Sequence, residues 1–147
     1  MLWSYNQVEE FRKYRSGAKI LIGMNEVNQP HQSNLNPQQG WELWNQEIRP
    51  LGKQGHTLVS PSVTCQPSGL QWLKEFFAGC GGDDMCGVRG SHPLPCSYPK
   101  LSVVDKQVDI LNIHIYVNSA AQVIKDIKLY YETFRKPIWL TEYACQV

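Results

Sequence analysis

Apolar positions along the chain alternate between short, nearly continuous runs and longer stretches with helical spacing. Ala18 to Asn28 (AKILIGMNEVN) contains the first run, which predicts a buried strand over Lys19 to Asn25 delivering Glu26 at its far end. Thr57 to Ser60 (TLVS) predicts a second strand, followed by a loop from Pro61 to Pro67. Val108 to Tyr116 (VDILNIHIY) predicts a third, and Pro137 to Cys145 (PIWLTEYAC) a fourth that carries Glu142. Helical patterns separate them. Gln7 to Tyr14 puts Val8, Phe11 and Tyr14 on one face. Asn36 and Pro37 give an N-cap and a proline at the first helical position, so a helix runs to about Leu51 with Trp41, Trp44 and Ile48 as its inner stripe. Ser68 caps a helix with Leu70, Leu73, Phe76 and Phe77 inward, and Ser119 caps another through Phe134 with Val123, Ile127, Tyr130 and Tyr131 inward.

Strands alternating with helices predict an α/β fold with a parallel sheet and right-handed crossovers. In such folds reactive groups collect at the C-terminal ends of the strands. Glu26, the Ser60-Pro61 edge, His114 with Tyr116, and Glu142 all fall there. The rhythm breaks between about residues 79 and 100, where Gly, Pro, Cys and Ser dominate; this reads as an insertion within one domain spanning 1–147.

Composition narrows the function classes. With 147 residues the chain has room for one real core, and a net charge of +1 gives no electrostatic case for nucleic acid. No apolar run is long enough to span a bilayer, and the N-terminus has no secretory pattern. The five cysteines (Cys65, Cys80, Cys86, Cys96 and Cys145) favour disulfides in an oxidising compartment, with one thiol left over. Zinc at Cys80, Cys86, His92 and Cys96 is disfavoured, because those spacings lack the short Cys pair of structural sites. No metal and no cofactor is expected. Five Trp and seven Tyr suit a sugar-stacking surface as well as a core.

Two glutamates arriving at one sheet edge match the needs of glycoside hydrolysis, in which one carboxyl donates a proton and the other attacks or activates water. Asn25 can hydrogen-bond a sugar hydroxyl, and His114 and Tyr116, one residue apart, point to the same side of their strand. A tyrosine hydroxyl beside Glu142 would favour its ionised form and leave Glu26 as the acid.

The segments ILIGMNEVNQ, HQSNLNPQQGWELWNQEIRPL, LVSPSVT, GLQWLKEFFAGC, LNIHIY and KPIWLTEYAC, in that order, resemble the endo-β-1,3-glucanases of glycoside hydrolase family 128, including fungal cell-wall proteins. The resemblance implies a (β/α)8 TIM barrel, here incomplete and covering about strands 4 to 7, with Met1 to Trp3 at the end of the third. It implies a retaining mechanism with Glu26 as acid/base and Glu142 as nucleophile. Asn25, His114 and Tyr116 would support them, with Trp139 and Trp44 as aromatic neighbours of the substrate. The implied partner is β-glucan, bound by a monomer that is extracellular or in the cell wall. The alternative from another class is an inert fragment or a glucan-binding protein without turnover.

Overall fold

The computed structural model describes residues 1–79 and 108–145. The insertion, with Cys80, Cys86, His92 and Cys96, lies outside the described residues. Among those described, a four-stranded parallel sheet of order β1-β2-β3-β4 is formed by β1 (Ile20–Ile22), β2 (Thr57–Thr64), β3 (Ile110–Tyr116) and β4 (Ile138–Ala144). Five α-helices accompany it: α1 (Val8–Tyr14), α2 (Pro37–Glu47), α3 (Arg49–Gly52), α4 (Pro67–Gly79) and α5 (Ala120–Phe134). Parallel neighbours joined through helices make this α/β, consistent with part of a TIM-like barrel. Residues 2–3 run beside β1, with Leu2 N–H donating to the Ile22 carbonyl and Asn25 N–H to that of Trp3.

Each strand presents two different faces. On β3, Leu111, Ile113 and Ile115 join the apolar core with Trp72, Leu73, Phe76, Phe77, Tyr130 and Phe134. Asn112, His114 and Tyr116 occupy the other face, as a period of two requires. The helices seal the apolar side: Phe76 stacks on Trp72 at 5.2 Å and meets Trp44 edge-on at 5.8 Å. Ion pairs on the buried Glu47 carboxylate tie α1 to α2, with the exposed Arg12 and the half-buried Arg15 both reaching it.

Several expected boundaries move. The second strand does not stop at Ser60 but continues through Pro61 to Thr64. Its register shifts between Val59 and Ser62, three steps along β2 against two along β3. Pro61, with no N–H to place, is tolerated at this bulge, and the Ser60 hydroxyl accepts the Asn112 N–H at 2.8 Å. Gly23 is required opposite, since a Cβ there would lie 2.7 Å from the Pro61 nitrogen. The helix expected to run to Leu51 breaks at Ile48, because Pro50 cannot donate back into the preceding turn. Asn36 does cap α2, in a reciprocal capping box with Gln39. Ser119 makes no side-chain cap bond, and the inner face of α5 uses Tyr130 and Phe134 while Tyr131 is exposed.

Candidate active site

The C-terminal ends of the strands frame a cleft of about 460 Å³ lined by Asn25, Glu26, His114, Tyr116 and Glu142 together with polar residues of the flanking loops. Four of the strand-end positions expected from the sequence therefore share one cavity. The exception is Ser60-Pro61, which lies mid-strand; Thr64, Cys65 and Gln66 take its place at the rim.

Glu26 enters the cleft from a backbone turned into the left-handed region (φ 40°), a conformation that costs a non-glycine residue about 1–2 kcal/mol. The turn is held from several sides. The Ser62 hydroxyl accepts the Glu26 N–H at 2.9 Å, and the Glu26 carbonyl accepts from Gln29 N–H at 2.9 Å. The loop then doubles back, with Ser33 N–H and hydroxyl on the Asn25 carbonyl and Leu35 N–H on that of Val27. Asn25 is buried and anchored at both ends of its amide, donating to Gln32 Oε1 at 3.1 Å and accepting from the Ser62 hydroxyl at 3.3 Å.

Glu142 arrives by a different device. The β3–β4 register jumps from Ile113 opposite Leu140 to His114 opposite Glu142, which leaves Thr141 as an extra residue. Strict alternation would put Thr141 and Glu142 on opposite faces; the bulge lets both reach His114. Thr141 Oγ1 is 3.0 Å from His114 Nε2, and Glu142 Oε2 is 3.5 Å from His114 Nδ1. His114 Nδ1 also lies 2.8 Å from Glu26 Oε1. One ligand-type atom from each of Glu26, His114 and Glu142 lies within 4.8 Å of the others.

The two carboxylates differ in surroundings. The Glu26 side chain is 10% exposed and that of Glu142 47%. Tyr116 donates its hydroxyl to Glu142 Oε2 at 2.5 Å. That bond, then burial and the nearby negative charge of Glu142 and Glu26, pushes the Tyr116 phenol up to about 12, so it keeps its proton and donates. Burial likewise pushes the Cys65 thiol up to about 12, which makes it a poor nucleophile at neutral pH. Cys65 and Cys145 are free thiols; no disulfide occurs among the described residues. Among the described residues, Glu26, His114 and Glu142 form the grouping whose ligand atoms could face a cation, and the same three are joined by hydrogen bonds or close contacts through His114 Nδ1.

The aromatic expectations need correction. Trp44 is fully buried in the core against Phe76 and offers no face to a ligand, because the α2 stripe that contains it packs onto α4. Trp139 is 36% exposed, but it sits opposite Asn112, deeper along the sheet than Glu142, and does not line the cleft. Sequence reading missed the amides of Gln29, Gln32 and Gln66, with His31, which form the rim. Gln29, His31 and Gln32 lie between Glu26 and the start of α2. Among the described residues no helix is long and apolar enough to cross a membrane.

Comparison with known proteins adds to this geometry. The family model described as glycosyl hydrolase catalytic core matches residues 1–147. No curated protein matches the chain. Among solved structures, a GH128 (subgroup VII) oligosaccharide-binding protein from Cryptococcus neoformans is 29% identical with a TM-score of 0.72, covering 99% of this chain and 52% of that one. A GH128 (subgroup II) endo-β-1,3-glucanase from Sorangium cellulosum is 27% identical with a TM-score of 0.73, covering 100% and 56%. A GH128 (subgroup I) endo-β-1,3-glucanase from Amycolatopsis mediterranei, in complex with laminaritriose, is 25% identical with a TM-score of 0.69, covering 99% and 53%. The chain spans about half the length of these structures.

Proposed function

Since the chain belongs to the glycosyl hydrolase catalytic core family, we propose that it represents the part of a β-1,3-glucanase that carries both catalytic carboxylates, in one partial domain holding strands four to seven of the barrel. Its substrate is a β-1,3-glucan, hydrolysed with retention by double displacement. The protein bound to laminaritriose supports the substrate class. An extracellular or cell-wall setting follows from that substrate.

The observation that carries the reading is that Glu26 and Glu142 enter one cleft with one carboxylate oxygen of each within 4.8 Å of the other. Retaining enzymes hold their carboxyl groups about 5–5.5 Å apart, whereas inverting ones need about 6.5–9.5 Å to admit a water. Glu26 protonates the glycosidic oxygen while Glu142 attacks the anomeric carbon, so the C–O bond breaks and a glycosyl ester forms. Glu26 then takes a proton from water, whose oxygen displaces Glu142 and frees the sugar. Tyr116 holds Glu142 as a carboxylate acceptor, and Asn25, fixed on two sides, presents its amide to the reacting sugar.

Incubation with linear β-1,3-glucan should release oligosaccharides, β-anomer first by NMR, and Glu142→Gln should abolish release. An α-anomer as first product would reject the double displacement. The oligosaccharide-binding protein of Cryptococcus neoformans favours one second reading, recognition without turnover. It would show as laminari-oligosaccharide binding by a folded chain that releases nothing.

A further inference from the structure

A hydrogen-bonded chain leads from Glu26 back into the sheet. His114 Nδ1 lies 2.8 Å from Glu26 Oε1, and His114 Nε2 lies 3.0 Å from Thr141 Oγ1. The Thr141 hydroxyl in turn donates to Asn112 Oδ1 at 2.6 Å. A hydroxyl has a single proton to give. With that proton committed to Asn112, Thr141 can only accept from His114, so Nε2 is the protonated ring nitrogen. In a neutral imidazole Nδ1 then carries only a lone pair. Two acceptors do not rest 2.8 Å apart without a proton between them, so the Glu26–His114 contact holds one. Asn112 and His114 are 1% and 2% exposed, which leaves solvent little access to rearrange the chain.

We propose that Asn112 and Thr141 are positioning residues for acid catalysis, fixing the His114 tautomer so that one transferable proton is kept between Glu26 Oε1 and His114 Nδ1. This rests on Glu26 being the proton donor, and it adds a reason why the donor is loaded. When the anomeric C–O bond breaks, that proton goes to the leaving oxygen. A Glu26 carboxylate then faces a lone pair on neutral His114, an unfavourable pairing that a returning proton relieves. The water that cleaves the glycosyl ester supplies the returning proton as its oxygen bonds to carbon, and the starting state is restored. The other groups facing His114 are Glu142, at 3.5 Å from Nδ1, and Tyr116 through Glu142. His31 and Cys65 line the same cleft. The bulge on β4 is what puts Thr141 within reach of Nε2 while Glu142 stays beside Nδ1.

The test reads the tautomer directly. Long-range ¹H–¹⁵N spectra of the labelled full chain should show neutral His114 protonated at Nε2 and bare at Nδ1. Thr141→Val removes the acceptor with little change of shape and frees the ring to put its proton on Nδ1, toward Glu26. Its spectrum should shift to the Nδ1–H form, and the basic limb of the pH–rate profile should move down by about half to one pH unit. Thr141→Ser, which keeps a hydroxyl, should restore both. A neutral His114 carrying its proton on Nδ1 in the unaltered chain overturns the proposal, and this needs neither a folded variant nor activity. A Thr141→Val chain with the parent tautomer and the parent limb overturns it as well. Failure of the underlying reading looks different: a Glu26→Gln chain that still hydrolyses glucan rejects Glu26 as donor whatever the tautomer.

Discussion

Gly69→Ala tests whether the end of β2, and with it one wall of the cleft, is set by the close seating of α4. Gly69 lies in the first turn of α4, and a Cβ there would sit 2.2 Å from the Thr64 carbonyl oxygen, 3.0 Å from Val63 Cβ and 3.3 Å from Asn28 Nδ2. Carbon and carbonyl oxygen approach comfortably only to about 3.3 Å, so the overlap is about 1 Å against a backbone atom that cannot rotate away. Either α4 or the end of β2 must move, at a cost of about 1–3 kcal/mol for such overpacking. Alanine returns up to about 1 kcal/mol in helix propensity. With the helix gain taken in full the balance is a loss of up to about 2 kcal/mol, or up to about 8 °C in Tm for a chain of this size. The Asn28 side chain would also suffer, because it bridges Thr64 Oγ1 at 2.8 Å, Thr64 N–H at 3.1 Å and the Ser68 hydroxyl at 3.1 Å. Urea denaturation of Gly69→Ala beside Gly17→Ala isolates the effect, since a Cβ at Gly17 meets nothing within 4 Å. Gly17→Ala should be neutral or slightly stabilising. A Gly69→Ala chain at least as stable as its parent would refute the steric reasoning.

Two predictions concern protons. The Tyr116 phenol, held near 12 chiefly by its bond to Glu142, stabilises the fold fully below the ordinary tyrosine range and loses that contribution as pH rises through about 12. Ultraviolet difference titration should therefore show a late-ionising tyrosine that Tyr116→Phe removes; a variant whose titration curve loses an ordinary tyrosine instead would contradict the geometry. The Arg12 guanidinium, by hydrogen bond and charge, holds the Glu47 carboxyl below the usual range, so its contribution is present above that range and fades as pH falls through the lower folded value. Glu47→Gln should lower the urea midpoint at neutral pH, with the gap to the parent narrowing as pH falls below the usual carboxylate range; a gap that stays constant with pH would point to packing alone.

The elements were legible where one rule governed them. Apolar runs located β1, β3 and β4, and Asn36-Pro37 marked the start of α2 to the residue. Misreadings came where two rules met. Pro61 looks like a strand breaker, yet a bulge has no use for its N–H, so β2 runs on to Thr64. Pro50 falls inside the helical pattern read to about Leu51, yet α2 ends before it. Trp44 was ambiguous because helical spacing marks a core face and a ligand platform alike; only packing against Phe76 decides. Glu26, His114, Tyr116 and Glu142 were legible as strand-end residues. Thr141 and Asn112 were not, because their importance lies in which side chain each one reaches.

Glu26 follows β1 and Glu142 lies on β4, the two outer strands of the sheet order. In a flat sheet three strand spacings of about 4.8 Å would hold them about 14 Å apart. One carboxylate oxygen of each lies within 4.8 Å of the other instead, and because strand side chains stand roughly perpendicular to their sheet, the sheet curls toward the cleft. Curvature still leaves each carboxylate to be aimed. Glu26 is turned inward by its left-handed backbone, pinned by Ser62 from β2. Glu142 is turned inward by the extra residue Thr141, pinned to β3 through His114 and Asn112. The inner strands thus do more than fill the space between the carboxylates: each supplies the hydrogen bonds that hold an outer strand's irregularity in place. Removing either irregularity would leave the strand intact and its carboxylate misdirected, so activity should be more sensitive than stability to changes at Ser62 and Thr141.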